Sequence, residues 1–180
     1  LTVLKGEIEV ALRSPRPPEE YRAVLHSTLE EVERMARLVD DLLLLSRADA
    51  GALRLESAPV ELDHLVEEVA KQGDVLARTK QVEVRLTEVA PLVVQGDGGR
   101  LKQLLLNLMD NAIKYTGPGG QVTLGLRPSA GPGGRAGEHA EIFVRDTGAG
   151  IPPEQLPRIF ERFYLADPVR SREAGGAGLG

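Results

Sequence analysis

The segment Gln103-Leu-Leu-Leu-Asn107-Leu-Met-Asp-Asn111-Ala-Ile-Lys114-Tyr115-Thr116 decides how the rest of the chain is read. Its apolar residues recur three and four apart, which predicts an amphipathic helix starting at Asp97 or Gly98 and running to about Tyr115. Asn107, Asn111, Lys114 and Tyr115 fall on one side of that helix, and Leu104, Leu105, Leu108 and Met109 are assigned to the other. Asparagine is a poor residue for a helix interior, because its amide competes for backbone hydrogen bonds. Two on one face read either as a ligating pair or as a solvated polar surface. The helix alone favours neither.

Working outward, short alternating runs surround this helix. Val60-Glu61-Leu62 reads as a strand, with Asp63 as N-cap of a helix to about Thr79. Val82 to Leu86 alternates as a half-buried strand, and Leu92-Val93-Val94 is another. Gln121 to Arg127 and Ala140 to Arg145 read as a hairpin around the Gly- and Pro-rich loop 128–138. A short helix is expected from Pro153 to Phe160. Interleaved helices and strands predict an α+β fold, a two-layer α/β sandwich with helices over a mixed sheet.

The first fifty residues follow another pattern. Leu1, Leu4, Ile8 and Ala11 mark one amphipathic helix, and Ser14-Pro15-Arg16-Pro17-Pro18 breaks it. A longer helix runs from about Pro18 to Ala50, with Leu25, Leu29, Val32, Ala36, Val39, Leu43 and Ser46 alternating four and three apart as a coiled-coil seam. Gly51 ends it. A short turn between helices implies an antiparallel hairpin. The first helix is much the shorter, so Val39, Leu42 and Leu43 need cover from residues upstream of Leu1 or from another subunit. A four-helix bundle of two hairpins, a homodimer, would supply it. The chain starts without Met and stops in a glycine run, so it reads as a fragment: residues 1–53 a truncated hairpin, 59–180 a second domain.

Composition narrows the chemistry. With no cysteine there is no disulfide framework, thiolate metal site or cysteine nucleophile. A formal charge of −5 disfavours a nucleic-acid partner, which would need a basic face. No apolar run approaches the roughly 18–20 residues that span a bilayer, and nothing resembles a signal peptide. This region therefore reads as cytoplasmic, and any membrane spans of the parent would lie elsewhere. His26, His64 and His139 lack companions at metal-ligand spacing.

Two glycine clusters accompany the central helix. Asp146-Thr147-Gly148-Ala149-Gly150-Ile151 directly follows a strand, and its glycines permit conformations and close approaches denied to other residues. Alone it is a common turn. Gly175-Gly176-Ala177-Gly178-Leu179-Gly180 is a segment that can offer amides to phosphate oxygens. In their order and spacing these motifs resemble the ATP domain of the bacterial sensor histidine kinases. Gln103 to Thr116 is similar to that family's N box, Asp146 to Ile151 to its first glycine box, Phe160-Glu-Arg-Phe-Tyr164 to its F box, and Gly175 to Gly180 to its second glycine box. Leu1-Thr-Val-Leu-Lys resembles the residues that follow the H box. The H box itself, which carries the phosphorylated histidine, is not in the chain, and His26 is on the wrong helix to replace it.

The resemblance implies a histidine-kinase/gyrase-type ATP-binding fold and a set of roles. Asp146 would accept a hydrogen bond from the adenine amino group, and Asn111 would ligate Mg²⁺, a hard ion that keeps waters and bridges phosphates. Lys114 and Tyr115 would contact the phosphates. Gly148, Gly150 and Ile151 belong to the adenine-side box, and Gly176, Gly178 and Gly180 to the phosphate-side box. Arg162, with Arg170 or Arg172, would neutralise the terminal phosphate, while Phe160 and Phe163 pack the lid. Leu165 stands where the family often has arginine, which removes one phosphate contact. Asn107 occupies the place where related gyrase- and chaperone-type ATPases carry a glutamate that activates water. An amide is no base at neutral pH, so the site should hydrolyse ATP poorly and suit transfer to an imidazole.

The expected function is thus the ATP-binding core of a sensor histidine kinase. Its parent would pass the γ-phosphate to a histidine on the dimerisation helix and then to an aspartate of a response regulator receiver domain. The fragment itself should bind ATP and Mg without autophosphorylating. Rival readings are a gyrase- or chaperone-type ATP-driven machine, a dimerisation module whose nucleotide site has decayed, and a serine-phosphorylating relative. Asn107 and the heptads oppose the first. Asn111, Asp146 and the glycines oppose the second, and the upstream hairpin opposes the third.

Overall fold

The structure, a computed structural model, describes residues 2–130, 139–161 and Tyr164. Two compact units are built around residues 1–53 and 54–157. In the first, helix α1 (Thr2–Leu12) packs on helix α2 (Pro18–Asp49). Pro17 sits at the N-cap of α2 with Pro18 behind it, where a missing amide costs nothing, and Glu19 and Glu20 face the positive end of the helix. At the other end Gly51 adopts φ +64°, and Ala52 N–H donates to the Arg47 carbonyl at 2.8 Å. The expected hairpin is there. So is its exposed seam: Leu25, Leu29, Val32, Val39, Leu42 and Leu43 all stand open.

The second unit runs β1 (Ala58–Glu61), α3 (Leu62–Thr79), β2 (Glu83–Val89), β3 (Val93–Gly96), α4 (Gly98–Tyr115), β4 (Gln121–Ser129) and β5 (His139–Asp146). Strand β1 pairs antiparallel with β3, while β2, β4 and β5 form a second sheet with β2–β4 parallel and β4–β5 antiparallel. Val122, Leu124 and Leu126 alternate along β4 and point into the core. They meet Leu62, Leu65, Val66 and Val69 of α3 and Leu105, Met109, Ala112 and Ile113 of α4. Each of these larger side chains contributes about 1.5–3 kcal/mol by leaving water. At Gly73 a β-carbon would come within 2.7 Å of Met109 Cγ, so the missing side chain lets α3 and α4 approach. This is the expected two-layer α/β sandwich.

Several boundaries differ from expectation. Helix α3 starts at Leu62, capped by Glu61 rather than Asp63. Leu62 N–H is satisfied by the Leu92 carbonyl at 2.9 Å, and the side chain of Glu61 makes no cap hydrogen bond. Strand β2 continues to Val89 through a bulge at Glu88, whose φ is +51°. No α-helix spans Pro153 to Phe160; a single 3-10 turn covers Leu156–Arg158. On α4, Leu104 and Leu108 are not on the core side: they are 54% and 43% exposed.

Candidate functional site

Helix α4 is anchored at its start by Asp97, whose Oδ1 accepts the Arg100 amide at 3.0 Å. The buried set Leu105, Met109, Ala112 and Ile113 fixes its rotation. Asn107 is thereby exposed, and Asn111 and Lys114 half-buried. Tyr115 is also exposed, with Lys114 Nζ lying 5.3 Å from its ring centroid. Thr116 closes the helix, its buried hydroxyl donating to the Ala112 carbonyl at 2.7 Å.

The Asp146–Ile151 loop begins where β5 ends. Asp146 Oδ1 accepts the Gly148 amide at 2.9 Å, a turn that orients the carboxylate and leaves Oδ2 to accept elsewhere. Thr147 holds the same turn to the sheet from both sides: its amide donates to the Gln121 carbonyl at 3.0 Å, and its Oγ1 accepts the Gln121 amide at 2.9 Å. Gly120 lies beneath, where a β-carbon would strike the Thr116 methyl and approach Thr147 Oγ1 to 3.0 Å. Gly148 is pressed onto the Tyr115 carbonyl, and any β-carbon there would collide with it. Gly150 adopts φ +70°, a conformation that favours glycine. Ile151 is about half exposed.

The end of α4 and the Asp146 loop thus meet through backbone. That contact sets the Asp146 turn beside the last turn of α4, which carries Lys114 and Tyr115 and follows Asn111. Asn107 stands one helical turn earlier than Asn111 on α4. Arg162, Gly176, Gly178 and Gly180 lie outside the described residues, as do Phe163, Leu165, Arg170 and Arg172. Phe160 is fully exposed. Sequence reasoning passed over Thr116, Gly120 and Thr147 as holders of the corner. A hydroxyl beside the Asp-x-Gly turn and a glycine just after the helix end were the available signals.

Among the described residues no group of three His, Cys, Asp or Glu side chains could cage a metal ion. Asn111 carries a carboxamide oxygen, a hard donor of the kind a divalent ion accepts when water and phosphate oxygens complete its shell. Two shallow concavities, of about 390 and 410 Å³, lie on the sheet and include none of the α4 side chains. The first touches Asp146 at its rim beside Arg145 and Phe143. The second is lined by residues of β2, β4 and β5 that include Arg85 and Arg127. Those two arginines are already paired, Arg85 with Glu83 along β2 and Arg127 with Glu141 across β4 and β5. No helix among the described residues is long and apolar enough to cross a membrane.

Comparison with known proteins gives two family matches. Residues 96–180 match the histidine kinase-, DNA gyrase B- and HSP90-like ATPase family, and residues 1–51 match the His Kinase A (phospho-acceptor) domain. The chain is 38% identical over 180 residues to the probable sensor histidine kinase TcrY of Mycobacterium tuberculosis, covering all of this chain but 36% of that protein. It spans little more than a third of the curated relatives it matches first. The mycobacterial sensor histidine kinase MprB structure is 32% identical, with TM-score 0.53, covering 69% of this chain and 72% of that one. Full-length ShkA, solved in complex with AMPPNP, is 34% identical with TM-score 0.70 and covers 99% of this chain and 36% of that one.

Proposed function

Because the chain belongs to the sensor histidine kinases, we propose that residues 54–157 and the segment after them bind magnesium-ATP at the corner between α4 and the Asp146 loop. One observation carries this reading: the backbone contact between Gly148 and Tyr115, which sets the turn holding the Asp146 carboxylate against the end of α4. Asp146 Oδ2 accepts the adenine amino group, with Oδ1 held by Gly148. A guanine would present an acceptor there and be rejected. Lys114 and Tyr115 steady the phosphates. Asn111 would hold the divalent ion, which when bound neutralises phosphate charge during transfer. Binding of AMPPNP by the relative ShkA supports the same ligand class here.

In the parent protein the γ-phosphate passes to a histidine of the dimerisation helix and on to an aspartate of a response regulator receiver. Asn107 lacks a basic lone pair, so this site positions phosphate for an imidazole and activates water poorly. Helix α1 contains no histidine, so the chain does not phosphorylate itself along that helix. Its hairpin dimerises by burying the open seam of α2 in a four-helix bundle. The region works in the cytoplasm, with any membrane anchor supplied elsewhere in the parent.

Calorimetric titration with ATP in the presence of magnesium tests the proposal. Saturable binding, with weaker binding of GTP, is expected. No heat at millimolar ATP, with the protein folded, would remove it.

A further inference from the structure

The antiparallel pairing of β1 with β3 ends at Ala58 opposite Gly96. Beyond that pair the ladder cannot continue, because α4 begins at Gly98 and turns its backbone away. The next residue, Asp97, bridges the gap with its side chain. Oδ2 accepts the amide of Glu56 at 3.2 Å, while Oδ1 accepts the amide of Arg100 at 3.0 Å. One half-buried carboxylate therefore does two jobs, closing the first turn of α4 and holding a residue of the irregular segment that leads out of α2. Residues 52–57 form neither helix nor strand. Glu56 is the point at which that segment is tied to the second unit before the sheet begins.

We propose that Asp97 is a positioning residue that pins the end of the inter-unit linker to the first turn of α4, confining the hinge to residues 53–55. Its upstream end is fixed where the amides of Gly51 and Ala52 bond back to the Ala48 and Arg47 carbonyls at the end of α2. Phosphate transfer between a helical unit and an ATP-binding unit depends on how often the two meet, and a short hinge keeps their effective concentration high. The proposal takes the role of α4 from the function proposed above. Its test uses no nucleotide, so the two can fail separately.

The test rests on side chains that keep the helix cap and lose the tether. In Asp97→Asn one oxygen still caps Arg100, but the amide NH2 faces the Glu56 N–H, donor against donor. In Asp97→Ser the hydroxyl caps and is too short to reach Glu56. Trypsin cleaves after Arg54 only when the following residues, Glu56 included, extend into its cleft. Losing one charge-assisted bond should speed that cleavage about tenfold and speed hydrogen exchange at the Glu56 amide comparably, with the thermal midpoint of the whole chain lowered by no more than a few degrees in either variant. Unchanged cleavage at Arg54 and unchanged exchange at Glu56 would overturn the proposal. So would faster cleavage appearing only together with loss of the cooperative thermal transition.

Discussion

The main-chain carbonyl of Tyr115 occupies the space into which a β-carbon on Gly148 would project. Nothing flexible separates them, since both groups are backbone: one ends α4 and the other belongs to the turn that aims Asp146. The proposed nucleotide corner thus depends on glycine at 148 through steric exclusion, in addition to any conformational preference.

Gly148→Ala should therefore loosen the corner. Backbone must shift to admit the methyl group, at a cost of about 1–3 kcal/mol by analogy with other overpacked sites. ATP affinity should fall about tenfold or more as Asp146 moves. Chemical denaturation and calorimetry on the same sample would check both, and unaltered affinity would show that the turn does not aim the carboxylate.

Asp146→Asn addresses purine choice. Replacing the charged acceptor should weaken ATP binding by about 1.5–3 kcal/mol, roughly ten- to a hundredfold. The new amide can donate to a guanine carbonyl, so the ratio of ATP to GTP affinity should fall further than the ATP value alone. Parallel titrations with the two nucleotides measure it.

Asn107 separates the proposed transferase from a hydrolytic machine. It is exposed on α4 one turn before Asn111, where a carboxylate could reach a water near the phosphates. Asn107→Glu should raise phosphate release about tenfold or more, toward the ~10²–10⁴ range of a positioned general base. Rapid release by the unaltered chain would instead favour the gyrase- or chaperone-type reading.

Asp97 gives a pH dependence with a defined sign. Its carboxyl is held below the ordinary carboxylate range, first by the Arg100 amide and then by the Glu56 amide, both of which bond the charged form. A lowered folded-state value means that this stabilisation is complete above the unfolded value near ~3.9 and is lost as pH falls through the lower folded one. The stability gap between the natural chain and Asp97→Asn should accordingly close on acidification below about pH 4. Denaturant melts at stepped pH would follow it, and a gap that widened in acid would contradict the assignment.

The parts of the fold legible in the sequence were those with long, strong patterns. The apolar period of Gln103 to Thr116, with a start read at Asp97 or Gly98, located α4, and the heptads of α2 located the open seam. What escaped depended on tertiary partners. Asp63 looked like the cap of α3, yet a carbonyl from Leu92 satisfies the helix one residue earlier. Leu104 and Leu108 looked like core because they are leucines, while rotation of α4 is set by Met109 against Gly73 and by Ile113 against the sheet. Asp146 and Asn111 were legible as chemistry. The meeting of their segments through Gly148 and Tyr115, with strands β4 and β5 intervening in the chain, was not, because no local pattern encodes a contact between two backbones.

Backbone NMR of the chain titrated with magnesium and AMPPNP bears most directly on the location of the site. The account predicts the largest amide shifts at Asn111, Tyr115, Asp146 and Gly148, with little change at Arg85, Thr123 and Phe143 on the sheet. Shifts concentrated on that sheet surface, with the α4 corner silent, would contradict it.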